Sequence, residues 1–187
     1  PYDAAFSQRI AAGLQAATGV VDRAERPGDL GALEAEITGR HAGAVERFLR
    51  ERNMTPADVD VIGFHGQTVL HRPEAGLTVQ LGDGGELAEL TGVPVVWDMR
   101  ANDMANGGQG APLVPVFHQA LARAMGAGGT VAIVNIGGIA NVTFVPEDAV
   151  PVAFDCGPGN ALIDAWVRSN TNRDYDEDGD LALSGHA

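Results

Sequence analysis

Apolar positions recur at helical spacing from the start of the chain. Phe6, Ile10 and Leu14 form one stripe, which predicts a helix over 3–18 that Gly19 ends. After a polar turn at 25–29, Leu30, Leu33, Ile37, His41, Val45, Phe48 and Leu49 keep a longer stripe and predict a helix over 29–52. Thr55-Pro56-Ala57-Asp58 then offers a cap with proline at the first helical position. From there the pattern changes. Strands are expected over 59–64 and 77–81, a short helix over 85–90, and a short buried strand over 94–97. A Gly-rich loop follows and leads to a helix over 112–125. The segment AMGAGG at 124–129 marks a change of pattern, so a domain break is expected at 127/128. Beyond it, strands over 130–135 and 139–145 flank Gly137-Gly138 as a β-hairpin. A third strand covers 151–154, a helix starts at 159–160 and runs to about residue 169, and the tail at 174–180 is acidic. Helix and strand patterns are mixed throughout, which predicts an α/β layered fold. A hairpin-led second half with one helix makes a poor complete domain, so further chain is expected beyond residue 187.

Composition narrows the class. The chain has 187 residues, enough for one medium domain or parts of two. Hydrophobic residues make up 45% and charged residues 20%, as in soluble globular proteins. No apolar run approaches the ~18 residues of a membrane helix, and no signal-peptide pattern opens the chain. The net charge of −13 argues against nucleic acid, whose binders gain affinity from basic side chains on phosphates. It leaves room for a nucleotide, which backbone N–H groups can hold. Cys156 stands alone, so neither a disulfide framework nor a cysteine zinc site is available, and a reducing cytoplasm is the expected compartment.

Three segments are too rich in Gly, Asn, Asp, Gln and His to be plain core. They are GFHGQTVLHRP at 63–73, DMRANDMANGGQGAPL at 98–113, and NIGGIANVT with FDCGPGNALID inside 135–164. The first opens where a strand ends, the place where open α/β folds bind ligands. His65, Gln67, Thr68, His71 and Arg72 are placed there to hydrogen-bond a polar ligand, or to cap a turn. Neither a carboxylate nor a cysteine supports His65 and His71 at metal-ligand spacing. In the second segment Asp98 or Asp103 can act as a general base, and Arg100 can hold a hydroxyl or carboxylate with its fork of donors. Gly107-Gly108-Gln109-Gly110 lets a ligand approach the backbone just before a helix start. The third carries two strand-terminal glycine turns fit for phosphate, but neither a Walker A loop nor a dinucleotide fingerprint.

Together with VQLGD at 79–83 and YDEDGDLALSG at 175–185, these strings resemble the anhydro-N-acetylmuramic acid kinases, in that family's order and over roughly residues 60–187. The resemblance implies the two-domain actin-like ATPase (ribonuclease H-like) fold, here a central portion without either end. Residues 1–127 would be the remainder of a sugar-binding domain and 128–187 the start of a nucleotide-binding domain. It implies a cytoplasmic carbohydrate kinase that uses ATP and Mg²⁺, opens the anhydro bridge of 1,6-anhydro-N-acetylmuramic acid with water, and yields the 6-phosphate in peptidoglycan recycling. Partners would be the sugar and ATP, with neither nucleic acid nor membrane, and a homodimer is left open.

The resemblance also assigns roles. Asp103, in Asn102-Asp103-Met104-Ala105-Asn106, is the expected catalytic base, with Asp98 the runner-up. His65, Gln67, Thr68, Arg72, Asp98, Arg100 and Gln109 fall on the sugar side. Asn135, Gly137, Gly138 and Asn141 match a phosphate hairpin, and Asp155, Gly157, Gly159 and Asn160 line the same cleft. No residue is assigned to the metal. The family's early Gly-Thr-Ser turn and C-terminal adenosine pocket are not seen in this sequence. Competing readings are a glycoside hydrolase using Asp98 and Asp103 as a pair, a kinase for another sugar, and a non-catalytic sugar-binding relative.

Overall fold

A computed structural model describes residues 2–126 and 128–185. These pack as two units, Pro1–Ala111 and Pro112–Ala187. The expected break at 127/128 touches Ala127, which lies outside the described residues.

The first unit opens with helix α1 (Ala4–Ala16), whose N-cap Asp3 accepts the Phe6 N–H at 2.8 Å. Phe6 and Gly13 are its buried residues, and Leu14 of the expected stripe is 41% exposed. Gly13 is buried because α1 lies close on helix α2 (Leu30–Glu51): a Cβ there would stand 2.8 Å from Leu33 Cδ2. Along α2 the buried stripe is Leu30, Leu33, Ile37, Thr38, Ala42 and Leu49. Phe48 instead faces solvent beneath the Arg52 guanidinium, 5.7 Å from its ring centre. The cap at Thr55 forms a 3₁₀ turn, Pro56–Asp58, with Asp58 Oδ2 accepting the Thr55 N–H at 2.8 Å.

Strand β1 (Ile62–Phe64) is shorter than its apolar run. It pairs in parallel with β4 (Val95–Trp97), Ile62 opposite Val95 and Phe64 opposite Trp97. The burial expected of β4 is not found: Val96 and Trp97 are about half exposed. Between them runs an antiparallel ribbon, β2 (Gln67–Arg72) with β3 (Leu77–Leu81), and helix α3 (Gly84–Thr91) capped by Asp83. The sequence pattern predicts only a polar cluster where β2 lies. A second surprise is helix α4 (Met99–Ala105), inside the expected Gly-rich loop. The core of this unit joins Phe6, Val20, Leu30, Leu33 and Ile37 to Phe64, Val69, Val79, Leu81 and Leu87.

In the second unit, helix α5 (Val114–Ala124) meets an antiparallel sheet of β5 (Val131–Ile136), β6 (Ile139–Val145) and β7 (Val152–Pro158), in that order. His118 Nδ1 lies 2.8 Å from Thr143 Oγ1 and ties α5 to β6. Helix α6 (Ala161–Asn170) follows, and the acidic tail ends in a short helix α7 (Asp180–Ser184).

Candidate active site

The parallel pair sets the first unit's site. β1 and β4 end side by side, and ligands in α/β sheets bind beyond the carboxyl ends of strands. A cavity of about 260 Å³ opens there, lined among others by His65, Trp97, Asp98, Arg23, Arg26 and Glu34. Arg26 grips Glu34 through two 2.8 Å bonds, and Glu34 Oε1 also accepts the Gly82 N–H at 3.1 Å. The bond to Glu34 raises the Arg26 pKa above its ordinary value. Asp98 stands at the N-cap of α4 with left-handed backbone, φ 55° and ψ 31°. A non-glycine residue holds that conformation only at some cost. Its carboxylate is ion-paired with Arg23, and its carbonyl accepts the Asn102 N–H at 3.1 Å.

Arg100 and Asp103 sit three residues apart on α4, a spacing that puts both on one face. The 107–110 loop folds back over them. Gly108 N–H donates to the Asp103 carbonyl at 2.9 Å, and Gly110 N–H donates to Asp103 Oδ2 at 2.8 Å. Arg100 in turn donates to the Gly110 carbonyl at 2.7 Å. The Asp103 carboxylate occupies the space beside Gly108: a Cβ there would stand 2.0 Å from Asp103 Oδ2 and would push the carboxylate aside. The second fork nitrogen of Arg100 lies 3.2 Å from His65 Nε2. Arginine cannot accept, so Nε2 is the acceptor in this contact, and Nδ1 lies 2.9 Å from the Gly66 carbonyl oxygen. A continuous chain therefore runs from His65 through Arg100 and Gly110 to Asp103. Arg100 Nε is buried without a partner, a group that ordinarily finds a water or ligand.

The structure does not bring every expected residue into this chain. Gln67 and Thr68 lie on β2, where Gln67 donates to the Thr68 carbonyl at 3.1 Å and Thr68 Oγ1 accepts from Gln80 at 3.4 Å. Arg72, at the far end of β2, donates to the Thr18 carbonyl after α1. Gln109 is exposed in the loop. His71 is held by Thr78 Oγ1, 3.0 Å from its Nδ1.

In the second unit three expected residues fall in one row. Asn135 of β5 is opposite Asn141 of β6, and Asn141 is opposite Asp155 of β7. Cross-strand partners share a face of the sheet, so two amides and a carboxylate stand side by side. A register shift at Ala140/Asn141 adjoins Gly157, which has φ 147°. The Gly137-Gly138 turn is stapled to the start of α6: Asn160 N–H donates to the Gly137 carbonyl at 2.8 Å and Gly159 N–H to that of Gly138 at 2.9 Å. Gly159 must be glycine, because a Cβ would lie 2.1 Å from the Gly137 oxygen. Those two N–H groups, at the start of α6, are spent on the turn.

Among the described residues no group of three His, Cys, Asp or Glu is placed to hold a metal, and no helix is long and apolar enough to cross a membrane.

The whole chain, residues 1–187, matches the family model described as anhydro-N-acetylmuramic acid kinase. The chain belongs to that family. Curated relatives bearing the same name include one from Rhizobium etli, 55% identical over 99% of this chain and 50% of its own length. Another from Brucella canis is 54% identical over 98% of this chain and 50% of its own. One from Methylorubrum populi is 56% identical over 90% of this chain and 45% of its own. The chain thus spans about half the length of the curated relatives it matches. Arg23, Arg26 and Glu34 carry no local signal, because they stand in ordinary helix-and-turn sequence before the family strings. Helix α4 left a signal: MRANDMA holds good helix formers and no glycine before 107.

Proposed function

We propose that the full-length protein is an ATP-dependent kinase of 1,6-anhydro-N-acetylmuramic acid. It hydrolyses the anhydro bond and phosphorylates O6 within peptidoglycan recycling. Membership of the family supports this, and one observation carries the chemistry. The half-buried Asp103 has one carboxylate oxygen held by Gly110 N–H, and Arg100 and the glycine loop are built around it. A carboxylate so oriented is fit for a general base. Asp103 takes a proton from water as the water oxygen bonds to the anomeric carbon. The bond from that carbon to the bridging oxygen breaks, and this oxygen takes the γ-phosphoryl group as ADP leaves. The proton on Asp103 passes to solvent. The leaving oxygen is captured by phosphorus, so a second catalytic acid is not needed.

In this reading the first unit belongs to the sugar-binding domain of an actin-like fold and the second to its nucleotide domain. His65, Arg100 and Gln109 meet the sugar, with Gln67, Thr68 and Arg72 further along the ribbon. The row Asn135, Asn141 and Asp155, with Gly137, Gly138, Gly157, Gly159 and Asn160 around it, faces the phosphates of ATP. Asp155, with the side-chain oxygens of Asn135 and Asn141, would hold the Mg²⁺ carried by ATP, and the ion would neutralise phosphate charge there. The hydrolase alternative is weakened by the ion pair of Asp98 with Arg23, which engages the second carboxylate such an enzyme would need.

The test incubates the full-length protein with ATP, Mg²⁺ and the anhydro-sugar and weighs the product. A gain of water and phosphate together, lost by about 10²–10⁴-fold in Asp103→Asn with the fold unchanged, is expected. Water gained without ATP would establish the hydrolase instead.

A further inference from the structure

Arg23 lies in the turn between α1 and α2, outside every string that carries the family resemblance. Its guanidinium crosses to the Asp98 carboxylate, 75 residues on in the chain. Asp98 is the hinge of the site: it follows β4, adopts a left-handed backbone, and starts α4 by accepting the Asn102 N–H. Arg100 and Asp103 follow on that one short helix. α4 has seven residues, none of them buried, so its own packing fixes it weakly. The Asp98 side chain makes no capping bond to α4, which leaves its carboxylate for Arg23. Arg26, three residues from Arg23, is itself locked to Glu34 and through it to the Gly82 N–H, so the turn that offers Arg23 is anchored on α2 and on the residue that follows β3.

We propose that Arg23 is a positioning residue for Asp103. By clamping Asp98 it holds the left-handed start of α4 and so sets where the base stands. This rests on Asp103 being the base. Misplacing a reacting group by about 1 Å can cost 10²-fold, so loss of an exposed clamp on a short helix should register in turnover well before it registers in folding.

The experiment measures kcat, KM for sugar and for ATP, and thermal midpoint in the full-length protein. The variants are Arg23→Ala, Arg23→Lys, Asp98→Ala, the double alanine variant and Asp103→Asn. Arg23→Ala is expected to lower kcat on the order of tenfold, with the KM for ATP and the midpoint unchanged. Arg23→Lys should recover part of the loss. The double variant should be no worse than Asp98→Ala alone, because the two act as a unit. Should Asp98→Ala fail to fold, the Arg23→Ala and Arg23→Lys pair still decides. Unchanged kcat in Arg23→Ala, or losses that multiply in the double variant, would overturn the clamp alone. An active Asp103→Asn would overturn the base and the clamp together.

Discussion

The two units handle apolar surface in opposite ways. In Pro1–Ala111, Phe6, Val20, Leu30, Leu33, Ile37, Val79, Leu81, Leu87 and Val93 are fully buried, and α2 is the slab on which α1 and the β3 end of the ribbon close. In Pro112–Ala187, Val167 is the only large apolar side chain among the described residues to reach that level. Ile136, Ile139, Val152, Phe154, Leu162, Ile163 and Trp166 all stand more than half exposed. Yet the second unit keeps its polar row in register, because a hairpin ladder is specified by local turn chemistry and backbone pairing. Within this chain, the first unit's site rests on a closed core and the second unit's polar row rests on strand pairing.

The sharpest way to break this comparison is to cut the two cores. Leu33→Ala should destabilise the first unit by about 2–5 kcal/mol, because it leaves a cavity between α1 and α2. Phe154→Ala should cost within about 0.5 kcal/mol in this chain, since half of that side chain already meets water. One tryptophan sits in each unit, Trp97 and Trp166, so single-tryptophan variants report each unfolding separately in urea. A loss at Phe154 as large as that at Leu33 would erase the distinction.

What was legible in the sequence follows the same division. The helices α1, α2, α3, α5 and α6 and the hairpin β5–β6 are periodic or turn-bounded, and they appear within a few residues of expectation. β2 was missed because Gln67-Thr68-Val69-Leu70-His71-Arg72 carries polar residues on both faces, and its pairing with β3 is tertiary information. α4 was missed because the glycines after it coloured the whole segment as loop. Of the expected site, the link from His65 to Asp103 and the row from Asn135 to Asp155 are partnerships that only folding creates. That Arg72 bonds to Thr18, and that Arg23 reaches Asp98, has no local signature at all.

A second probe sharpens the ladder side. Gly159→Ala would drive a Cβ to 2.1 Å from the Gly137 oxygen, backbone against backbone, whereas Gly138→Ala meets nothing nearer than Ala161 Cβ at 3.6 Å. The first should cost about 1–3 kcal/mol, read at Trp166, and raise the KM for ATP in the full-length protein while sparing the KM for sugar. The second should leave both near normal. Equal effects would mean that the staple between the hairpin and α6 does not hold the polar row of Asn135, Asn141 and Asp155.

The smallest effect belongs to the closed unit and is read with acid. Asp58 is held below its ordinary value of 3.8 by the Thr55 N–H and hydroxyl, and Asp3 by the Phe6 N–H and Arg40. Glu36 is held below 4.5 by Arg40 and Arg9. Folded values below unfolded ones mean that these carboxylates stabilise the fold above the ordinary carboxylate range. That contribution is lost as pH falls through their depressed values. The midpoint reported by Trp97 should therefore be flat from neutral pH to about 5 and decline below about 4. The decline should be modest and weaker in high salt, because Asp3 and Asp58 are exposed and Glu36 is only partly buried, so all three are screened. Asp58→Asn should shallow it without moving the neutral-pH response of Trp166. A midpoint that rose on acidification would show that these carboxylates repel their surroundings more than the capping N–H groups and Arg40 attract them.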